Sequence, residues 1–304
     1  MLRGVQQTGA QRAGPALLAA VLALAGVLVT QAGGAGPAAS VGGAPEPTPV
    51  PANATRCADA GPYRPPEPDG VGLPPGVDLC PAGPIVVRTP GAVLDGWDVR
   101  GGIVVDAADV VVRRSRVTGD GSAAYGIWTT PAGSVRIEDT TVTGAFRAAA
   151  IGTDRWTAER IEVTRVTGDG AHLGTRAILR NSTLHAFTPP VGGPPVTALR
   201  LIGPRGGALV EGNRVDVGTG PGRHAAVLVA PPGAGSEREV VIRDNVLGGG
   251  EYTVAQDVAA ADGGGVRIVD NRFGRDAGRA PLRVAVGALL DGNTFVDGGA
   301  VTGR

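Results

Sequence analysis

From about residue 85 onward, apolar and polar positions return in one fixed order. An eight-residue pattern with apolar third and eighth places can be found nine times, and its sixth place is polar in all but the first, which has Trp97. The segments are AVLDGWDV from Ala92, VVVRRSRV from Val110, VRIEDTTV from Val135, ERIEVTRV from Glu159 and AILRNSTL from Ala177, followed by ALVEGNRV from Ala208, VVIRDNVL from Val240, VRIVDNRF from Val266 and ALLDGNTF from Ala288. Their starts lie 18 to 32 residues apart. A pattern constant inside the segment and elastic between segments is what stacked coils produce, because turns can bulge while paired backbones keep their ~4.8 Å spacing. Stacked in register, the third and eighth places make continuous aliphatic columns, and each fully buried member is worth roughly 1.5–3 kcal/mol.

A second apolar stretch recurs between these segments, as GIVV at 102–105, YGIW at 125–128, AHLG at 171–174 and AAVLV at 225–229. Two or three short strands per coil, with Gly or Asp at the corners and no sustained 3.6-residue period, predict an all-β single-stranded right-handed parallel β-helix of about nine coils over 85–304. The sixth place holds Asn213, Asn245, Asn271 and Asn293 in consecutive repeats. Four amides at one repeat position predict an internal ladder of structural character. Asp98, Asp120, Asp169 and Asp262 flank glycines or turns and read mostly as turn-formers.

Composition sharpens this picture. Glycine and proline, 51 and 25 residues, make up a quarter of the 304-residue chain, yet 42% is apolar, enough for a core. There is no lysine, and 28 arginines balance 28 carboxylates. A chain without net charge or a basic stripe is not expected to bind nucleic acid or an anionic membrane surface. Residues 13–29 carry no charge and follow Arg3 and Arg12. That run spans about 26 Å as a helix, slightly short of a ~30 Å hydrocarbon core. Residues 1–32 are therefore expected to be a signal peptide or an N-terminal membrane anchor, which puts the rest outside the cytoplasm. Residues 33–56 read as a disordered Pro/Gly/Ala-rich linker. In an oxidising compartment Cys57 and Cys80, the two cysteines of the chain, are expected to close an N-terminal cap over 57–84.

The stretches Thr89-Pro-Gly-Ala-Val-Leu-Asp-Gly-Trp-Asp-Val, Val112-Arg-Arg-Ser-Arg-Val, Gly168-Asp-Gly-Ala-His-Leu-Gly and Val266-Arg-Ile-Val-Asp-Asn-Arg-Phe resemble the secreted right-handed parallel β-helix repeat proteins of the pectate-lyase-like superfamily. Val241-Ile-Arg-Asp-Asn-Val-Leu-Gly-Gly-Gly-Glu-Tyr-Thr belongs with them, and the resemblance runs from about Gly72 to Gly299. It implies contact with extracellular or cell-wall polysaccharide. Relatives with this fold cleave glycans with paired carboxylates, or by elimination with an Arg or Lys base and commonly Ca²⁺. Members often carry His-x-Asp-Gly-Ile-Gln in the coil where this chain reads Pro195-Val-Thr-Ala-Leu-Arg-Leu.

Candidate chemistry is sparse. With Ile127, Ile151, Leu173 and Leu199 turned inward, alternation sends Trp128, His172 and Arg200 outward on one side. With Asp154, Asp169 and His224 these would line a shallow groove. A tryptophan beside Arg and His suits a sugar ring and its carboxylate, so Trp128, His172, Arg200 and His224 are the ligand-binding candidates. Asp154, Asp169, His172 and Arg200 are the catalytic ones. The three histidines, at 172, 185 and 224, have no zinc spacing, and no metal or other cofactor is expected, with calcium tied to the lyase alternative alone. The sequence predicts a monomer that binds polysaccharide or keeps degenerate lyase-like activity. The alternatives are a scaffold offering loops 186–196 and 230–239 to protein partners, or an active lyase or hydrolase.

Overall fold

A computed structural model describes residues 56–63, 70–202, 207–230, 239–256 and 265–302. The expected leader and nearly all of the expected linker lie outside the described residues, as do Asp262 and most of the loop 230–239. The described residues form a parallel β-helix. Its strands fall into three sheets of nine, ten and nine strands, all parallel between neighbouring coils. Each coil contributes one strand to each sheet in turn: the first sheet (Val93–Asp95 to Leu289–Asp291), the second (Cys80–Ala82 to Thr294–Phe295) and the third (Ile85–Val87 to Ala280–Arg283).

The corner between the first and second sheets is the most regular feature. It is made by the fifth and sixth places of the repeat. The fifth place is Gly96, Arg114, Asp139, Arg160, Asn181, Gly212, Asp244, Asp270 and Gly292, and every one has positive φ, between 45° and 82°. One left-handed residue turns an extended strand sharply, and Gly, Asn and Asp accept that region most readily. Arg114 and Arg160 hold it because each guanidinium is tied to a carboxylate, of Asp95 and Asp139 respectively.

The sixth place then secures the stack. Asn213 donates to Oδ1 of Asn245, Asn245 to Asn271 and Asn271 to Asn293, at 2.9–3.1 Å. The backbone N–H of each of the first three bonds the same oxygen on the next coil. Hydroxyls take over in earlier coils, where Ser182 Oγ accepts from Ile161 N–H and Ser115 Oγ from Trp97 N–H.

One repeat differs from the sequence reading. The fourth segment begins at Trp156 and not at Glu159, since Ala158 pairs with Ile137 and Leu179. Ile161 thus occupies the ladder place and Val163 the eighth. Ala158 is too small for the column, and the buried indole of Trp156 lies two places before it in the same strand, donating to His172 O at 3.2 Å.

Both ends are closed. Cys57 and Cys80 form a disulfide, with Cα atoms 5.6 Å apart. A disulfide is compatible with an extracytoplasmic location. Arg114 donates to the carbonyls of Ala60, Gly61 and Pro62, holding residues 60–62 against the first coils. At the other end the chain folds back, with an antiparallel bridge between Thr294 and Ala300 and Val301 buried. No helix among the described residues is long and apolar enough to cross a membrane.

Candidate functional site on the third sheet

The third sheet carries the candidate chemistry. Its pairing places Val104, Trp128, Gly152, His172, Arg200, Leu228, Ala255 and Arg283 in one column across successive coils. Trp128, His172 and Arg200 therefore share a face. The lumen column beside it is Ile127, Ile151, Ala171, Leu199 and Val227, with Leu173 stacked on Leu201 and not on Leu199.

Asp169 is not a corner residue. It begins the strand Asp169–Leu173, and its flanking glycines are there for space: a Cβ at Gly168 would lie 2.7 Å from Ala148 O, and one at Gly170 2.4 Å from Ala198 O. The residue is 6% exposed and its carboxylate is fully engaged. Oδ2 accepts from Arg200 Nε at 2.6 Å and sits 3.0 Å from His172 Nε2, while Oδ1 accepts the Thr197 N–H at 2.7 Å. The other nitrogen of His172, Nδ1, lies 3.1 Å from the Tyr125 hydroxyl. Tyr125 in turn stacks on Trp128, with centroids 6.4 Å apart and planes 12° from parallel.

Tyr125 belongs to this cluster although alternation from Ile127 would turn it into the lumen. It is the first residue of its strand, where the next coil offers room: Gly152 leaves open the space its own Cβ would fill 2.5 Å from the tyrosine ring. Trp128 is half-buried against that ring and is less exposed than its place in the column suggests. The open part of the site is formed by the side chains of Arg200, 30% exposed, and His172, 14% exposed.

The remaining candidates lie elsewhere. Asp154 follows the strand Ala149–Gly152 and accepts the Thr175 N–H at 2.5 Å, while Asp169 lies at the opposite end of the neighbouring strand. No hydrogen bond or ion pair among the described residues joins Asp154 to the cluster. His224 is the unmatched residue of a β-bulge, since Val196 pairs with Arg223 and Thr197 with Ala225. It lies one coil beyond Thr197 and makes no hydrogen bond to the cluster among the described residues. His185 bonds Glu162 on the second sheet, at 3.0 Å.

The electrostatics follow from these contacts. Burial pushes the Asp169 carboxyl up, but the hydrogen bonds from His172 and Arg200 and the Thr197 N–H outweigh it, and its pKa falls below the ordinary value. An ionised Asp169 only accepts, so His172 carries its proton on Nε2. A neutral imidazole then presents Nδ1 as acceptor to the Tyr125 hydroxyl. Burial, and then the Asp169 charge, raise the Tyr125 pKa, so the phenol stays protonated and donates.

Because the folded carboxyl has the lower pKa, its stabilisation is complete above about pH 4, the unfolded range, and is lost as pH falls through the folded value. Asp169→Asn is thus expected to lower stability markedly at pH 7 and much less at pH 2. Urea unfolding of both chains at the two pH values measures this, and an equal deficit at each would contradict the assignment.

The three metal-capable side chains that cluster among the described residues are Cys57, Asp59 and Cys80, and their two sulfurs are bonded to each other. Asp169 is the carboxylate of the third-sheet cluster. No family model, curated protein or solved structure matches the chain.

Proposed function

We propose that the protein is an extracytoplasmic β-helix protein, of the pectate-lyase-like kind, that holds an acidic polysaccharide on the third sheet. The observation that carries this reading is the column Trp128, Gly152, His172, Arg200, with the ring of Tyr125 over the glycine. A stacked aromatic pair offers a flat apolar face to a pyranose ring. Arg200 keeps three donors beyond the Nε committed to Asp169 and its NH2 contact with Thr197, enough to meet a carboxylate of the ligand.

Trp128→Ala and Arg200→Ala are each expected to weaken retention on acidic glycans by about tenfold or more, the size of one lost charge-assisted hydrogen bond or stacking contact. Binding of both variants to an immobilised panel of acidic and neutral polysaccharides reads this. An unchanged profile for both would remove the reading.

A second reading, elimination at a uronate, is favoured by the chain Tyr125–His172–Asp169. There a phenol donates to an imidazole oriented by a carboxylate, the geometry of an acid/base group with its support. Calcium belongs to that reading alone. Unsaturated product from a uronate polymer, lost in Tyr125→Phe, separates it from simple binding.

A further inference from the structure

A separate groove lies on the outer face of the first sheet, with a volume of about 720 Å³. The register of the strands puts Ile178, Leu209, Val241 and Arg267 in one column over four successive coils. All four turn outward, because Leu179, Val210, Ile242 and Ile268, one place on, fill the lumen. The first three are half-buried and the last is exposed. An aliphatic floor thus runs along the solenoid axis and stops at a guanidinium.

The charges around this floor mostly cancel. Along one wall Arg180 and Arg243 share the Glu211 carboxylate, and Arg243 also lies 3.9 Å from Asp244, so that wall is neutral. On the opposite rim Arg176 and Glu239 are of opposite sign, with Gly207 between them in the stack. Asp270 turns its Oδ1 away from the floor, into the space a Cβ of Gly292 would take in the last coil. Arg267 makes no ion pair or side-chain hydrogen bond among the described residues. It is the cation left over, and it stands in line with the apolar floor.

We infer that this groove binds a single-chain amphiphilic carboxylate, with its tail along Val241, Leu209 and Ile178 and its head group on Arg267. The inference is independent of the reading of the third sheet. From Ile178 to Val241 the floor spans two coil steps, about 10 Å, and Arg267 is one step further. At roughly 1.3 Å of reach per methylene, set by the length of a carbon–carbon bond, a tail of about eight to ten carbons covers it. Burial of methylenes supplies the affinity and the guanidinium supplies the direction. Arg176 lies to the side of the floor, so a chain laid the other way round would not meet a cation in line.

Calorimetry on the whole chain tests this with hexanoate, decanoate and decyltrimethylammonium as probes. Decanoate is expected to bind at least tenfold more tightly than either of the others. Arg267→Gln is expected to weaken decanoate about tenfold and leave decyltrimethylammonium unchanged, and Arg267→Lys to restore part of the loss. Leu209→Ser is expected to shrink the advantage of decanoate over hexanoate, and Arg176→Gln to change nothing. Far-ultraviolet circular dichroism of each variant is expected to match the parent, since none of these side chains reaches the lumen. Equal affinity for decanoate and decyltrimethylammonium, or a loss in Arg176→Gln and not in Arg267→Gln, overturns the assignment, as does the absence of decanoate binding by the unaltered chain.

Discussion

Asn245→Ala is expected to cost about 4 kcal/mol of stability, among the largest effects available to a single substitution here. The side chain is buried in the middle of the ladder. Its Nδ2 donates to Val210 O and Asn271 Oδ1, and its Oδ1 accepts from both the N–H and the Nδ2 of Asn213. Alanine would leave the buried Asn213 N–H without its acceptor, at roughly 1–3 kcal/mol, and would take the Asn245 donor from the Val210 carbonyl. Asn245→Ser is expected to cost about half as much. A serine at the same place in an earlier coil, Ser182, accepts the N–H of the preceding coil and donates to the Arg180 carbonyl two residues back. Urea denaturation of both variants checks this, and a loss under about 1 kcal/mol for the alanine would mean that the corner is held by its backbone alone.

The second large effect is expected at Asp95. This carboxylate is fully buried and receives Arg114 Nε and NH2 at 2.7 and 2.8 Å and Arg113 NH2 at 3.1 Å. Arg114 itself is 3% exposed. Asp95→Ala therefore leaves a guanidinium buried without a carboxylate, beside the carbonyls of residues 60–62 and the ring of Tyr63, at a cost of about 3–5 kcal/mol. The Asp95→Leu/Arg114→Met pair removes both charges and is expected to recover about half of that, because the loss comes from the uncompensated charge and not from the absence of the bond. The residue of the deficit belongs to residues 60–62, whose carbonyls lose their donor. Limited proteolysis near residues 57–63 is expected to accelerate in both variants while the disulfide keeps the fragments joined. Equal stability of the single and double variants would contradict the account.

The coils were legible in the sequence because their apolar third and eighth places face a narrow lumen that tolerates little else. The frame slipped at one repeat for a physical reason. Ala158 is a weak apolar signal, whereas Ile161 and Thr164 three residues on imitate the column and the ladder, and only the bulk of Trp156 marks the true start. At the third sheet, alternation correctly put Trp128, His172 and Arg200 on one side. It failed for Tyr125, because a strand's first residue need not follow the pleat when the neighbouring coil has a glycine to lie over. Asp169 passed as a corner residue since glycines flank it, and those glycines answer to crowding across coils, which a single repeat does not reveal. His224 was displaced by a bulge that leaves no mark in the hydrophobic pattern.

The corner of one left-handed residue followed by one ladder residue has the same length in all nine repeats, so the variation from 18 to 32 residues falls on the other two corners and the strands that meet there. Insertions and deletions are consequently confined to two of the three edges of the molecule. Of these, the edge leading into the third sheet carries the ten-residue connection 186–195 directly before the strand that bears Arg200. New recognition loops can be grafted or trimmed there without altering how the laps are riveted together, which separates the evolution of what the protein grips from the evolution of what keeps it folded.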